Sequence, residues 1–314
     1  MYWRGNRSKD NSYDGMWRSC CESMSQDYIW KGKDATFEEI WNNPVAEEIR
    51  ETLSKGEWHP NCLICKEREE KFGKSGRQEY NELEGELGTL SYLDYRPSNL
   101  CNLKCRMCNG FHSSLLAMEE EKNFKYIFDK GSEKDELPVD WSKLKRIKLL
   151  GGEPMIMEET LGVLEKVSED CELLITTNAY KISPDIEKAL LKTKARVRFN
   201  LSVDGIGKTY EYIRVGSDWK RVEENILRLR SLGFSMSLNP VGMMWNAFGL
   251  NDLFEWCETH GIPQNHLHWV GESWNRLGLL SDEHKEQIAH PKLDPLLKEK
   301  LPETLVTKWK EETN

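Results

Sequence analysis

The alternation of apolar and polar positions changes rhythm near residue 89. Downstream of that point, short runs of period two alternate with longer runs of period 3.6, which predicts strands and helices in turn. TLSYLDYR (89–96), LKRIKLL (144–150), CELLITTN (171–178), ARVRFNLSVDG (195–205), FSMSLNPV (234–241) and HLHWVGE (266–272) read as six strands. Between them, residues 111–128, 157–169, 185–193, 219–233 and 250–261 carry amphipathic helical spacing, with Gly233 closing the fourth of these helices. Such alternation implies a parallel sheet covered by helices. Six units rather than eight predict an α/β partial (β/α)6 TIM-like barrel.

Upstream, residues 1–88 are polar, irregular and rich in Trp, with one clear helical segment at 36–56. Thr36 is its predicted N-cap, and Glu39 completes a capping box. Pro44 should split the segment in two, and Gly56 should stop it. After residue 275 the chain turns polar, with a Pro- and Lys-rich tail. The expected organisation is therefore a small irregular N-terminal cysteine-containing module with its linker (1–88), the barrel (89–275) and a C-terminal extension (276–314).

In open parallel sheets, ligands lie at the C-terminal ends of the strands. The conspicuous loops all follow strands: SNLCNLKCRMCNG (98–110), GGEP (151–154), TTN (176–178), SVDG (202–205) and NPVG (239–242). Their order alone predicts one site.

Composition narrows what that site can be. Hydrophobic content is 38% and charged content 31%, as in a globular chain rather than a disordered one. No run reaches the roughly 18 apolar residues that span a bilayer, and the first residues lack the apolar core of a secretory signal. A cytoplasmic location is expected, with no membrane partner. The net charge of −9 argues against binding of nucleic acid through its phosphate backbone.

Nine cysteines are the informative count. An odd number in a reducing compartment does not suggest a disulfide framework. Seven of them, Cys20, Cys21, Cys62, Cys65, Cys101, Cys105 and Cys108, lie in tight groups, the distribution expected of metal ligands. Cys171 and Cys257 stand apart and read as small buried hydrophobes. Zinc could take the two C-x-x-C pairs, Cys62–Cys65 and Cys105–Cys108, but that leaves Cys101 spare. Three thiolates in a compact loop suit an iron–sulfur cubane with one iron open, and an open metal position marks a catalytic centre.

C-x-x-x-C-x-x-C after the first strand, followed by GGEP after the second, resembles the radical S-adenosylmethionine superfamily. The wider likeness covers roughly residues 89–272 and includes TTN, SVDG and YEYIRVGSDWKRVEENI. The resemblance implies a [4Fe–4S] cluster held by Cys101, Cys105 and Cys108, its open iron chelated by S-adenosylmethionine. One electron would cleave the sulfonium to methionine and a 5′-deoxyadenosyl radical, which abstracts a substrate hydrogen. It also implies residue roles. Gly151 and Gly152 would let the backbone approach the methionine moiety, Glu153 would accept its ammonium, and Pro154 would fix the turn. Met107 would lie against the adenine. Ser202 and Asp204 would face the ribose with Asn178 nearby, and Arg214 would pair with the methionine carboxylate. Asn239, Val241 and Gly242 would line the adenine end. The expected partners are S-adenosylmethionine, an electron donor such as flavodoxin or ferredoxin, and a substrate that could be a peptide or protein side chain. The alternatives are a small molecule or nucleotide as substrate, or a non-catalytic iron–sulfur or zinc-binding interaction protein that keeps the fold.

DGMWRSCCESM and the stretch from FEEIW to CLICKERE resemble the auxiliary-cluster modules called SPASM or twitch domains. In the family this module usually follows the barrel, and here it precedes it. The resemblance implies an auxiliary iron–sulfur cluster on Cys20, Cys62 and Cys65, with Cys21 as neighbour or alternative ligand. A zinc knuckle is the competing reading.

Overall fold

Side chains that alternate between buried and half-exposed lay down the first parallel strands. In Glu172–Thr177 every second residue is buried, and Arg146–Leu149 repeats the pattern. Tyr92–Arg96 buries its three central residues, as expected of a strand covered on both faces. The computed structural model describes residues 2–4, 16–20, 30–31, 36–73, 75–81, 89–110, 112–119, 137–264, 268–269 and 280–287. These residues form an α/β fold built on parallel strands with helices between them. They divide into two compact units: Met1–Cys101 with Gly110–Ile175 and Ser183–Val197, and Asn102–Asn109 with Thr176–Ile182 and Arg198–Asn314.

In the first unit, Tyr92–Arg96 pairs in parallel with Arg146–Leu149, in the register Leu93 to Ile147. Arg146–Leu149 in turn pairs with Glu172–Ile175. The helices Glu158–Lys166 and Pro184–Leu190 pack on each other. They bury Thr160, Val163, Leu164, Ile186 and Leu190, and Leu93, Ile147, Leu149, Leu173 and Ile175 are fully buried in the same unit.

The N-terminal segment joins this sheet, which its irregular pattern did not signal. Tyr2–Arg4 runs parallel to Asp94–Arg96, and Met16–Arg18 and Trp30–Lys31 follow as antiparallel strands. Strands of two or three residues are too short to show a period. The capping box at Thr36 and Glu39 forms as expected. Pro44 sits at the start of a second helix, so that Phe37–Trp41 and Pro44–Ser54 are separate. Two further helices, Leu63–Phe72 and Gly76–Asn81, run into and through the charged stretch 66–88, whose pattern reads as a partly helical linker. Their apolar stripe is weak and their sequence highly charged.

In the second unit, Ser235–Leu238 pairs in parallel with residues 198–201 of the strand Arg196–Leu201. Ser202 N–H donates to the Thr177 carbonyl, and Asn239 N–H to that of Leu201, so the loops begin where the strands end. The helix Trp219–Ser231 is capped by the Asp218 carboxylate. It buries Val222, Ile226 and Leu229, an i, i+4, i+7 stripe. Gly233, at φ 89°, lets the chain leave the helix. The sixth strand is shorter than expected: a parallel bridge joins Leu238 to Gln264, and His268–Trp269 pairs with Val241–Gly242.

The expected helix at 111–128 is described only as Ser114–Glu119, and most of the C-terminal extension lies outside the described residues, apart from the helix Asp282–Gln287. No helix among the described residues is long and apolar enough to cross a membrane.

Candidate cofactor site

The chain leaves Tyr92–Arg96 through Pro97, Ser98, Asn99 and Leu100, which lead into the cysteine loop. Several polar groups on this exit are hydrogen-bonded. Ser98 Oγ accepts from Leu100 N–H at 3.0 Å, and Asn99 Nδ2 donates to the Gly110 carbonyl at 3.0 Å. Ser114 N–H returns a bond to the Asn99 carbonyl at 2.8 Å, and Ser114 Oγ accepts from Cys101 N–H at 3.1 Å. The first cysteine is thus held by its backbone, and its thiol is half-buried.

The GGEP turn is stitched to the same exit. Gly152 N–H donates to the Ser98 carbonyl at 3.1 Å, and Glu153 N–H to that of Leu100 at 2.8 Å. A Cβ on Gly152 would fall 2.2 Å from the Leu100 carbonyl oxygen and 2.4 Å from that of Asn99. On Gly151, at φ 141°, it would fall 2.5 Å from the Ser98 oxygen. The two glycines therefore serve a close approach between backbone segments. Glu153 is 1% exposed and caps the short 3-10 turn Pro154–Ile156, its Oε1 accepting from Met155 N–H at 3.1 Å. Pro154 is buried at the first position of that turn.

In the second unit, the cysteine loop continues as the short strand Lys104–Cys105, antiparallel to Arg214–Val215, with Cys105 opposite Arg214. The pairing continues one step, with Arg106 N–H donating to the Ile213 carbonyl at 2.9 Å. Arg106 also lies over the Tyr212 ring at 4.1 Å. Cys108 N–H donates to the Cys105 carbonyl at 3.0 Å, which closes a tight turn between the two cysteines.

Arg214 is 8% exposed and Asp204 fully buried. Arg214 Nε and Nη2 reach Asp204 Oδ2 at 2.9 and 2.7 Å, and Nη1 donates to Cys105 Sγ at 3.7 Å. The other Asp204 oxygen accepts from Val241 N–H at 2.9 Å. Asn246 completes the knot: its Nδ2 donates to the Asp204 and Val241 carbonyls at 2.7 and 2.8 Å, and its Oδ1 accepts from Met243 N–H at 2.9 Å. Burial works against the Arg214 charge, but Asp204 and Cys105 outweigh it and hold the guanidinium above its ordinary value. Burial pushes the Cys105 thiol up, and Arg214 opposes that push. Asp204 and Arg214, expected at the ribose and the methionine carboxylate, are thus bonded to each other.

Asn178 bonds Asn102 of the cysteine loop through Nδ2 at 3.0 Å, and its carbonyl accepts from Tyr210 Oη at 2.9 Å. Met107 and Val241, both expected near an adenine, pack on the same buried pair, Ile213 and Met243. Ser202 and Asn239 are half-buried at their strand ends. The sequence did not point to Asn246, Asn102, Ser98, Asn99 or Ser114. A buried Asn inside GMMWNAFG leaves no mark in the hydrophobic pattern.

The N-terminal cysteines are placed less completely. Cys62 and Cys65 straddle the start of the helix Leu63–Phe72. Burial raises the Cys62 thiol, the Cys65 charge adds to it, and Arg77 pulls it back. Arg77 is anchored on Glu69 at 2.7 Å and stacks on Trp58 at 4.8 Å. Cys20 follows the strand Met16–Arg18 and is half-buried, and Cys21 lies outside the described residues. Among the described residues, no three His, Cys, Asp or Glu side chains come together to hold a single metal ion.

The profile of the radical SAM superfamily matches residues 95–256. Over 172 residues the chain is 27% identical to a GTP 3′,8-cyclase of Peptoclostridium acidaminophilum, covering 51% of this chain and 49% of that protein. Over 219 residues it is 25% identical to a GTP 3′,8-cyclase of Sulfurovum sp. (strain NBC37-1), covering 66% of this chain and 63% of that protein. The chain therefore spans between about half and just under two thirds of these curated relatives. Among solved structures, native anSMEcpe with bound AdoMet aligns with a TM-score of 0.48 at 18% identity, over 66% of this chain and 60% of that one. Streptococcus suis SuiB bound to S-adenosylmethionine aligns at 0.46 and 17%, over 87% of this chain and 57% of that one.

Proposed function

Because the chain belongs to the radical SAM superfamily, whose profile covers residues 95–256, we propose that it is a radical S-adenosylmethionine enzyme whose cysteine loop holds a [4Fe–4S] cluster through Cys101, Cys105 and Cys108. When bound, the cluster supplies one electron that cleaves S-adenosylmethionine to methionine and a 5′-deoxyadenosyl radical, which takes a hydrogen atom from the substrate.

The donor set fits such a group. All three thiols are free of disulfides, and Cys105 has a fixed cation beside it that favours the thiolate. Cubane thiolates each bind a different iron, so they need not converge as ligands of a single ion do. Three cysteines leave one iron for the cosubstrate.

The observation that carries the reading is the Cys105–Arg214–Asp204–Val241 chain of bonds. It ties the cysteine loop to the loops that follow Arg196–Leu201 and Ser235–Leu238, where the family seats its cosubstrate. By its motif, Glu153 is the carboxylate that would accept the ammonium group, a charge-assisted bond. Met107, Asn239, Val241 and Gly242 form the adenine side. Ser202 and Asn178 serve the ribose. Gly151, Gly152 and Pro154 hold the GGEP turn against the cysteine loop. Asp204 and Arg214 support the seat from behind.

Cys20, Cys62 and Cys65, with Cys21 beside them, are the proposed ligands of an auxiliary cluster. Two substrate classes remain in play. The resemblance of the N-terminal cysteines to auxiliary modules favours a peptide or protein side chain. The GTP 3′,8-cyclases among the relatives favour a nucleotide. A flavodoxin- or ferredoxin-type donor would supply the electron.

Anaerobic reconstitution, then dithionite and S-adenosylmethionine, should yield 5′-deoxyadenosine by chromatography. Cys101→Ala, Cys105→Ala and Cys108→Ala should each abolish it. An intact cluster in the wild type with no 5′-deoxyadenosine would leave a non-catalytic iron–sulfur protein. About eight irons per chain supports two cubanes, and about four with one zinc supports a zinc knuckle beside the loop. Transfer of deuterium into 5′-deoxyadenosine from a labelled peptide or from labelled GTP decides the substrate class.

A further inference from the structure

A buried ion pair is an expensive way to join two loops, since apolar residues of similar volume often do so at no loss of stability. The pair of Asp204 and Arg214 is nonetheless built with care. Both Asp204 oxygens accept bonds, one from two nitrogens of Arg214 and the other from Val241 N–H. Asn246 fixes the backbone on both sides of the carboxylate's contact with Val241. The backbone of Arg214 is registered opposite Cys105, and the remaining guanidinium nitrogen, Nη1, is spent on Cys105 Sγ at 3.7 Å. The Tyr210 ring lies 5.8 Å from the guanidinium carbon. The cation therefore has one orientation, and its free donor meets the sulfur of a proposed cluster ligand.

We infer that Arg214 is a positioning residue that sets the charge felt at the Cys105 sulfur, and hence the reduction potential of the cluster in this loop, with Asp204 as the counter-charge that limits the effect. The inference rests on the cluster reading above. Net charge and hydrogen bonds to sulfur are the levers by which a protein moves such potentials. A positive charge beside the thiolate stabilises the reduced cluster, which carries one more electron. Removing it should make reduction harder. Removing the carboxylate instead leaves the cation uncompensated and should make reduction easier. A role confined to holding the fold would move both variants the same way or neither.

The test is a potentiometric titration of the reconstituted protein, followed by electron paramagnetic resonance of the reduced cluster. At a fixed solution potential, Arg214→Gln should lower the reduced-to-oxidised ratio about tenfold, which is about 59 mV for a one-electron couple. That direction holds whether or not the stranded Asp204 takes up a proton. Asp204→Asn should raise the ratio about threefold or more. Arg214→Lys, which keeps the charge but not the fork, should return most of the wild-type value. The double variant should fall between the two singles. If Arg214→Gln takes up no cluster, Asp204→Asn decides alone, and an unchanged or lowered ratio overturns the inference. If wild type loads its cluster and cleaves S-adenosylmethionine while both singles titrate with it, this inference fails and the proposed function stands. If the wild type binds no cluster, both fall.

Discussion

Replacing Gly152 with alanine separates two reasons for a glycine in the GGEP turn. The added Cβ would lie 2.2 Å from the Leu100 carbonyl oxygen, 2.4 Å from that of Asn99 and 2.5 Å from the Leu100 carbonyl carbon. All three are backbone atoms, so no side chain can swing aside. Cβ atoms do not approach within 3.0 Å, and the turn must retreat by at least 0.8 Å (3.0 − 2.2). That retreat strains the bonds from Gly152 N–H to Ser98 and from Glu153 N–H to Leu100, now 3.1 and 2.8 Å. Each is worth about 1 kcal/mol, and overpacking adds about 1–3 kcal/mol, for roughly 3–5 kcal/mol together. At about 2 °C per kcal/mol in a chain of this size, the melting temperature should fall by about 6–10 °C. The assay is thermal unfolding followed by circular dichroism, on apoprotein under argon with a thiol reductant and no S-adenosylmethionine. Gly162→Ala is the control. Gly162 lies in the helix Glu158–Lys166 with nothing within 4 Å of its added Cβ, so the same change should stabilise by about 0.5–1 kcal/mol. If Gly152→Ala melts with the wild type yet no longer binds S-adenosylmethionine, the glycine serves the cosubstrate and the packing argument is wrong.

Asn246→Ala strips three bonds from a fully buried side chain and leaves the Asp204 and Val241 carbonyls and Met243 N–H short of a partner. A loss of about 3 kcal/mol is expected from urea unfolding, and a loss under 1 kcal/mol would mean that the Val241–Asn246 loop closes without it. Glu69→Gln should show a pH-dependent cost. The Arg77 hydrogen bond, foremost, holds the Glu69 carboxyl below its ordinary value, against the opposing effect of burial. A carboxyl lowered on folding adds stability above its unfolded value, near 4.3, and loses it as pH falls through the folded value. The gap between wild type and variant should therefore be full at pH 7 and close on acidification below about pH 4; a gap of constant size would place the effect outside this ion pair.

Much of the fold was legible because its elements carry their own periods. Val222, Ile226 and Leu229 mark one helix face, and Glu172–Thr177 alternates at every step. The strands came out one to several residues shorter than read, because the residues that follow them, Asn178, Ser202 and Asn239, are bent away into loops with their own bonds. Tyr2–Arg4, Met16–Arg18 and Trp30–Lys31 were not legible. Three residues cannot display a period, and what makes them strands is pairing at long range, such as Tyr2 with Asp94.

The site divides along the same line. Its cysteines and its GGEP turn stand in the sequence as compact spacings, and a compact spacing is what a loop around a polynuclear group requires. The partnership of Asp204 with Arg214 has no such spacing, since they stand ten positions apart in sequence, across a turn and a helix. Read singly, an arginine after a helix is offered to a ligand carboxylate, and an aspartate after a strand to a hydroxyl. Both readings assume that a charged side chain near a site is free to meet the ligand. Burial constrains that freedom: a carboxylate with no exposed surface needs donors within the protein, and Asp204 finds Arg214 and the Val241 amide. Only the guanidinium nitrogen left over reaches the cysteine loop. The useful question to ask of a charged residue in such a motif is therefore which internal partner already holds it, because the group it can still reach defines its role.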